Sequence, residues 1–79
     1  MLGYVLVSLV DSADERAALD RLSELDSVED AHMVFGEWDI VLKAKAATPE
    51  QLSAFVLDNV RSRAEVKMTS TLIVCSDQR

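Results

Sequence analysis

One cysteine, one histidine and only eight lysines and arginines against fourteen aspartates and glutamates stand in this 79-residue sequence. Each shortage removes a class of protein. A single cysteine, Cys75, makes no internal disulfide, and nothing around it in sequence would activate a thiolate. A lone histidine, His32, without a Cys/His cluster leaves no zinc site, so neither metal nor cofactor is expected. The net charge of −6 opposes nucleic-acid binding, where Lys and Arg must neutralise phosphates, and opposes anionic membranes. No apolar run reaches the roughly 18–20 residues of a membrane span. The apolar start lacks a basic n-region and a small-residue cleavage site, so it is not a signal peptide. A cytoplasmic location fits these absences best.

What is present is apolar for its length, with 49% hydrophobic residues. A chain of this size holds one core but buries only about 60–65% of its unfolded surface, which leaves it marginal alone. Association is a common remedy. Residues 1–79 therefore read as a single domain, part of whose apolar surface is covered by another copy.

Residues 2–10, with Val5, Val7 and Val10, read as a strand covered on both faces. Ser12-Ala13-Asp14-Glu15 fits a capping box with Ser12 as N-cap. Ala18, Leu19, Leu22 and Leu25 then form one apolar helical stripe. Residues 28–35 predict a second strand, less apolar and suited to a sheet edge. Val28, Asp30, His32 and Val34 point one way, and Glu29, Ala31, Met33 and Phe35 the other. Gly36-Glu37 is the Gly-X pair of a two-residue type II′ hairpin loop. It leads to a third strand over 38–45, with Trp38, Ile40, Leu42 and Ala44 on one face. Thr48-Pro49-Glu50-Gln51 starts a second helix: Thr48 caps, Pro49 takes the first helical position and Gln51 completes a capping box. Leu52, Phe55, Val56 and Val60 form its buried stripe, and Arg61 and Arg63 suit its C-terminal dipole. A last strand covers 66–75, and 76–79 form a polar tail.

Strand, helix, strand, strand, helix, strand with two right-handed crossovers gives an α+β, ferredoxin-like fold. It is a four-stranded antiparallel sheet with both helices on one face. The bare face carries apolar residues too, and pairing two sheets face to face, as in a dimeric α/β barrel, is the simplest cover.

Asp39 is the odd residue. A carboxylate at a strand start, beside Trp38, packs poorly and suits a cation such as the ammonium of a small molecule. The plainer alternative is a turn-stabilising carboxylate that accepts nearby backbone amides. From the residues alone, Thr69 and Thr71 read as ordinary β-branched strand residues, and Trp38 as an interface or core aromatic. His32, with no second ligand or acid nearby, reads as a strand surface or interface residue. Tyr4, His32 and Asp39 form no evident nucleophile–base pair, so no catalytic residue is assigned and the chain is not read as an enzyme.

With its six elements in order, the chain resembles the effector-binding (RAM) domain of the Lrp/AsnC transcriptional regulators. The resemblance rests on Val34-Phe35-Gly36-Glu37-Trp38-Asp39-Ile40-Val41-Leu42 and on Met68-Thr69-Ser70-Thr71-Leu72-Ile73-Val74. The family typically shows a Thr-Gly-acid-Tyr-Asp hairpin and a Thr-x-Thr in its last strand. It implies dimers with facing sheets, joined into octamer-like rings, and an amino acid effector held between dimers. By position, the implied ligand-binding residues are Gly36, Glu37, Trp38, Asp39, Thr69 and Thr71. Asp39 would pair with the ligand ammonium, while turn amides and threonine hydroxyls would hold its carboxylate or a polar side chain.

This sequence departs from the family in three places. Phe35 stands where Thr is usual, which shrinks or greases the site. Asp26-Ser27-Val28 and Ala64-Glu65-Val66 replace the usual strand-leading Pro-Gly-Val. The first strand begins at Leu2, so no helix-turn-helix precedes it and no direct nucleic-acid contact is expected. The reading is a small-molecule sensing and oligomerisation module that modulates transcription or amino acid metabolism, with full-length Lrp/AsnC regulators as candidate partners. A purely structural assembly module and a small ferredoxin-like monooxygenase or isomerase are the alternatives.

Overall fold

The computed structural model describes residues 1–75; the polar tail at 76–79 lies outside them. The elements are β1 (Leu2–Leu9), α1 (Glu15–Ser23), β2 (Val28–Met33), β3 (Ile40–Lys45), α2 (Pro49–Asn59) and β4 (Val66–Ile73). The strands form one antiparallel sheet in the order β2-β3-β1-β4. This is the ferredoxin-like βαββαβ arrangement expected from the element order, with β2 and β4 at the edges.

Alternation builds the core. Val5, Val7 and Leu9 of β1 and Ile40, Leu42 and Ala44 of β3 turn to the same side, with Val5 opposite Leu42 and Val7 opposite Ile40. They meet Ala18 and Leu22 of α1 and Leu52, Val56 and Val60 from α2 and its cap in one buried cluster. Burying each large aliphatic side chain contributes roughly 1.5–3 kcal/mol. Gly3 lets α2 come close: a Cβ there would run into the Leu52 side chain and lie 3.2 Å from the Leu72 carbonyl oxygen.

The other sheet face is open. Tyr4, Leu6 and Ser8 on β1 stand there with Met68, Ser70 and Leu72, their partners on β4. Val41 and Lys43 continue it on β3, opposite His32 and Asp30 on β2. Met68 and Leu72 are 55% and 54% exposed. Within one chain, β1 is thus covered on one face rather than both.

Several boundaries differ from expectation. Helix α1 is capped by Asp14, whose side chain accepts the Ala17 amide at 3.1 Å, and not by Ser12. The Ala13 amide instead bonds to the Val10 carbonyl, which spends Asp11 and Ser12 on a turn and delays the helix. At α2, Thr48 caps as expected through the Gln51 amide at 3.1 Å. The Gln51 side chain, however, accepts from the Ala47 amide rather than from Thr48. β4 ends at Ile73, short of Cys75.

Strand β2 bulges at Glu29, since Val28 pairs with Ala44 while Asp30 pairs with Lys43. The extra residue reverses the side of everything before it. Val28 therefore joins Ala31 against the core rather than sharing a face with Asp30 and His32. β4 bulges likewise at Lys67, between the pairs Ser8–Met68 and Leu9–Val66.

Candidate ligand-binding site

The β2–β3 turn is wider than a two-residue loop. β2 stops at Met33 and β3 starts at Ile40, and the Val34 amide donates to the Asp39 carbonyl at 2.9 Å across residues 35–38. Gly36 keeps the role read for it: its φ of +124° lies in a region that side chains other than glycine rarely adopt. Asp39 keeps the hairpin register through that bond and is tied to β1 as well. Its amide donates to the Val7 carbonyl at 2.9 Å, and its Oδ2 accepts the Leu9 amide at 2.8 Å. β3 starts at Ile40 rather than Trp38.

Asp39 is half-buried, as is Trp38, while Gly36 and Glu37 stand open to solvent at the tip. Phe35 is fully exposed at 107%, and Met33 and Val34 beside it are also exposed. With Glu15 of α1, these three line a shallow apolar hollow of about 260 Å³.

Thr69 and Thr71 lie on β4 opposite Val7 and Val5. They therefore belong to the helix side of the sheet, where both are partly covered. Val7 joins the two halves of the candidate site, because it receives the Asp39 amide on one flank and faces Thr69 on the other. Asp39 and Thr69 thus gather at the same end of β1 with that strand between them, and Thr71 sits one pair further along. Strands are about 4.8 Å apart, so crossing β1 takes roughly 10 Å. That is more than one hydrogen bond spans, so Asp39 and Thr69 do not bond to each other directly.

The anchoring of Asp39 on Leu9 had no sequence signal, because the partner lies 30 residues away. The acid beside His32 did have one, at spacing two on a strand. The Asp30 Oδ1 is 3.7 Å from His32 Nε2, with both side chains exposed; the histidine is not alone as read. Cys75 is free and exposed.

Element order and sheet topology make the chain a ferredoxin-like domain. A family profile described as the Lrp/AsnC ligand binding domain matches residues 3–77. The chain belongs to that family. An uncharacterised HTH-type transcriptional regulator of Pyrococcus horikoshii is 30% identical over 59 residues, covering 75% of this chain and 39% of that protein. A solved hypothetical protein from the same organism superposes with a TM-score of 0.83 at 28% identity, covering 96% of this chain and 90% of the other. A Neisseria meningitidis transcriptional regulator, solved as an L-Met complex, has the same fold. Its TM-score is 0.86 at 23% identity, covering 99% of this chain and 51% of that one. The chain spans about two-fifths to half the length of the curated relatives it matches. Among the described residues the two helices are separated by two strands and form no helix-turn-helix, and no described helix is long and apolar enough to cross a membrane.

Proposed function

We propose that this chain is an amino acid sensing and assembly module that modulates transcription or amino acid metabolism without touching DNA itself. The family match over residues 3–77 carries the reading, and the L-Met complex of the Neisseria regulator supplies the ligand class. In this reading Asp39 receives the ligand ammonium. A carboxylate offers about four acceptor positions, so its bond to Leu9 orients the group and leaves capacity for a second donor. The turn at Gly36, Glu37 and Trp38 forms one wall. Thr69 and Thr71 serve the same pocket from a neighbouring copy, across the junction between pairs. The open face carrying Tyr4, Leu6, Met68 and Leu72 pairs two copies, and pairs join into a ring. Mixed rings with full-length relatives would carry the signal to DNA.

A thermal-shift panel of the twenty amino acids tests this. A ligand at 100 times its Kd stabilises by about 2.7 kcal/mol, and Asp39→Asn should remove that shift while leaving the fold intact. A hit that binds the variant equally well sinks the site; no hit across the panel sinks the sensing role. The exposed Phe35 favours a second reading, an assembly module without ligand, because an apolar hairpin tip suits a protein contact. Rings that form fully without any amino acid, and co-purify with a DNA-binding relative, would support it.

A further inference from the structure

The cations of this acidic chain are mostly spoken for. Arg16, Arg21 and Lys45 pair with Asp20, Glu65 and Glu29. Arg63 Nε donates to the Asn59 carbonyl at 2.8 Å, and Lys43 lies opposite Asp30. Arg61 and Lys67 make no ion pair among the described residues, and the two line the same cleft. It measures about 310 Å³ and is bounded by Arg61, Val66, Lys67, Met68 and Thr69, with no carboxylate among the described residues of its walls.

We propose that this cleft is a binding site for a small oxyanion, a carboxylate or phosphate group. Three features point the same way. Lys67 is the bulged residue of β4, and a bulge re-aims its side chain away from the ladder. β4 is an edge strand, so alternate backbone N–H groups on its outer side have no strand partner and add donors. Arg61 comes from a different element, just past the C-cap of α2, and its planar guanidinium fits either oxyanion through two parallel bonds. The C-terminus of α2 opposes an anion with about half a negative charge, against two full positive charges. A lysine at a bulged edge also discourages strand pairing, but that role gives no reason for Arg61 to share the cleft. The cleft shares Thr69 with the proposed effector pocket, whereas Arg61 and Lys67 belong to this cleft alone, so replacing those two separates the sites.

The test is an NMR titration of the whole chain with sodium phosphate and, separately, disodium succinate, at fixed pH and ionic strength against sodium chloride. Saturating shifts should appear at the amides of Arg61, Val66, Lys67, Met68 and Thr69. The pair Arg61→Gln and Lys67→Gln should weaken binding about tenfold or more, whereas Lys45→Gln, a charge change outside the cleft, should leave it unchanged. Both replaced side chains are exposed, and spectral dispersion reports directly that the variant is folded. Saturation by phosphate alone would narrow the site to phosphate groups. Linear shifts spread over the surface and equalled by chloride, or equal affinity in the double variant, would overturn the proposal.

Discussion

Asp39 can be tested for its two roles separately, because structural and ligand duties need different parts of it. Its Oδ2 accepts the Leu9 amide, and any acceptor of similar shape keeps that bond. Asp39→Ala should therefore cost about 1–2 kcal/mol, lowering Tm by roughly 4–8 °C per kcal/mol for a domain of this size. Asp39→Asn should stay within about 0.5 kcal/mol of the parent while losing ammonium binding, as read by denaturation and calorimetry together. Gly3→Ala should be worse than a surface change, because the added methyl meets Leu52 under α2; overpacking of this kind costs about 1–3 kcal/mol. Glu65 governs part of the acid limb. The hydrogen bond from its own backbone amide holds its carboxyl below the usual 4.5, partial burial opposes this, and the Arg21 guanidinium at 3.3 Å and the charge of Arg63 reinforce it. A folded pKa below the unfolded one stabilises the protein fully above about pH 4.5 and loses that contribution as pH falls through the folded value. Glu65→Gln should flatten the loss of stability below pH 4.5, measured as urea midpoints against pH.

At the element scale, the two helix starts make opposite predictions for similar sequences. Thr48→Ala and Asp14→Ala each remove a side chain that accepts a first-turn amide and should each cost about 1 kcal/mol. Ser12→Ala should change stability by less than about 0.5 kcal/mol, the range of ordinary surface substitutions, since Ser12 lies in the turn ahead of the helix. Thermal melts of the three variants decide between Asp14 and Ser12 as cap. Ser12 was the better fit to a local motif, but the Ala13–Val10 bond claims its position first.

For the whole molecule the open sheet face is the main unfinished surface. Tyr4, Met68 and Leu72 are all exposed on it in one chain, and their burial between two copies would supply what a small core lacks. Leu72→Asp places a charge in the middle of that face. Sedimentation should show the variant shifted to monomer, with a Tm that no longer rises with protein concentration. An unchanged sedimentation coefficient would remove the face from the assembly. The net charge of −6 adds repulsion between copies, so association should strengthen with salt as that repulsion is screened.

The amino-acid sequence by itself determined the element order, the ferredoxin-like sheet, the two apolar helix stripes and the capping of α2 by Thr48. All of these depend on contacts within a few residues or on a period that a short window displays. The same holds for Gly36, whose positive φ is a property of one residue. The bulges at Glu29 and Lys67, the bond that ties Asp39 to Leu9, the close approach of α2 over Gly3 and the gathering of Arg61 with Lys67 belong to tertiary structure. Each depends on a register between segments far apart in the chain, and register is chosen by the packing of the whole sheet. Local pattern placed Asp39 at the end of a strand, and only the fold decided that β1 would hold it there.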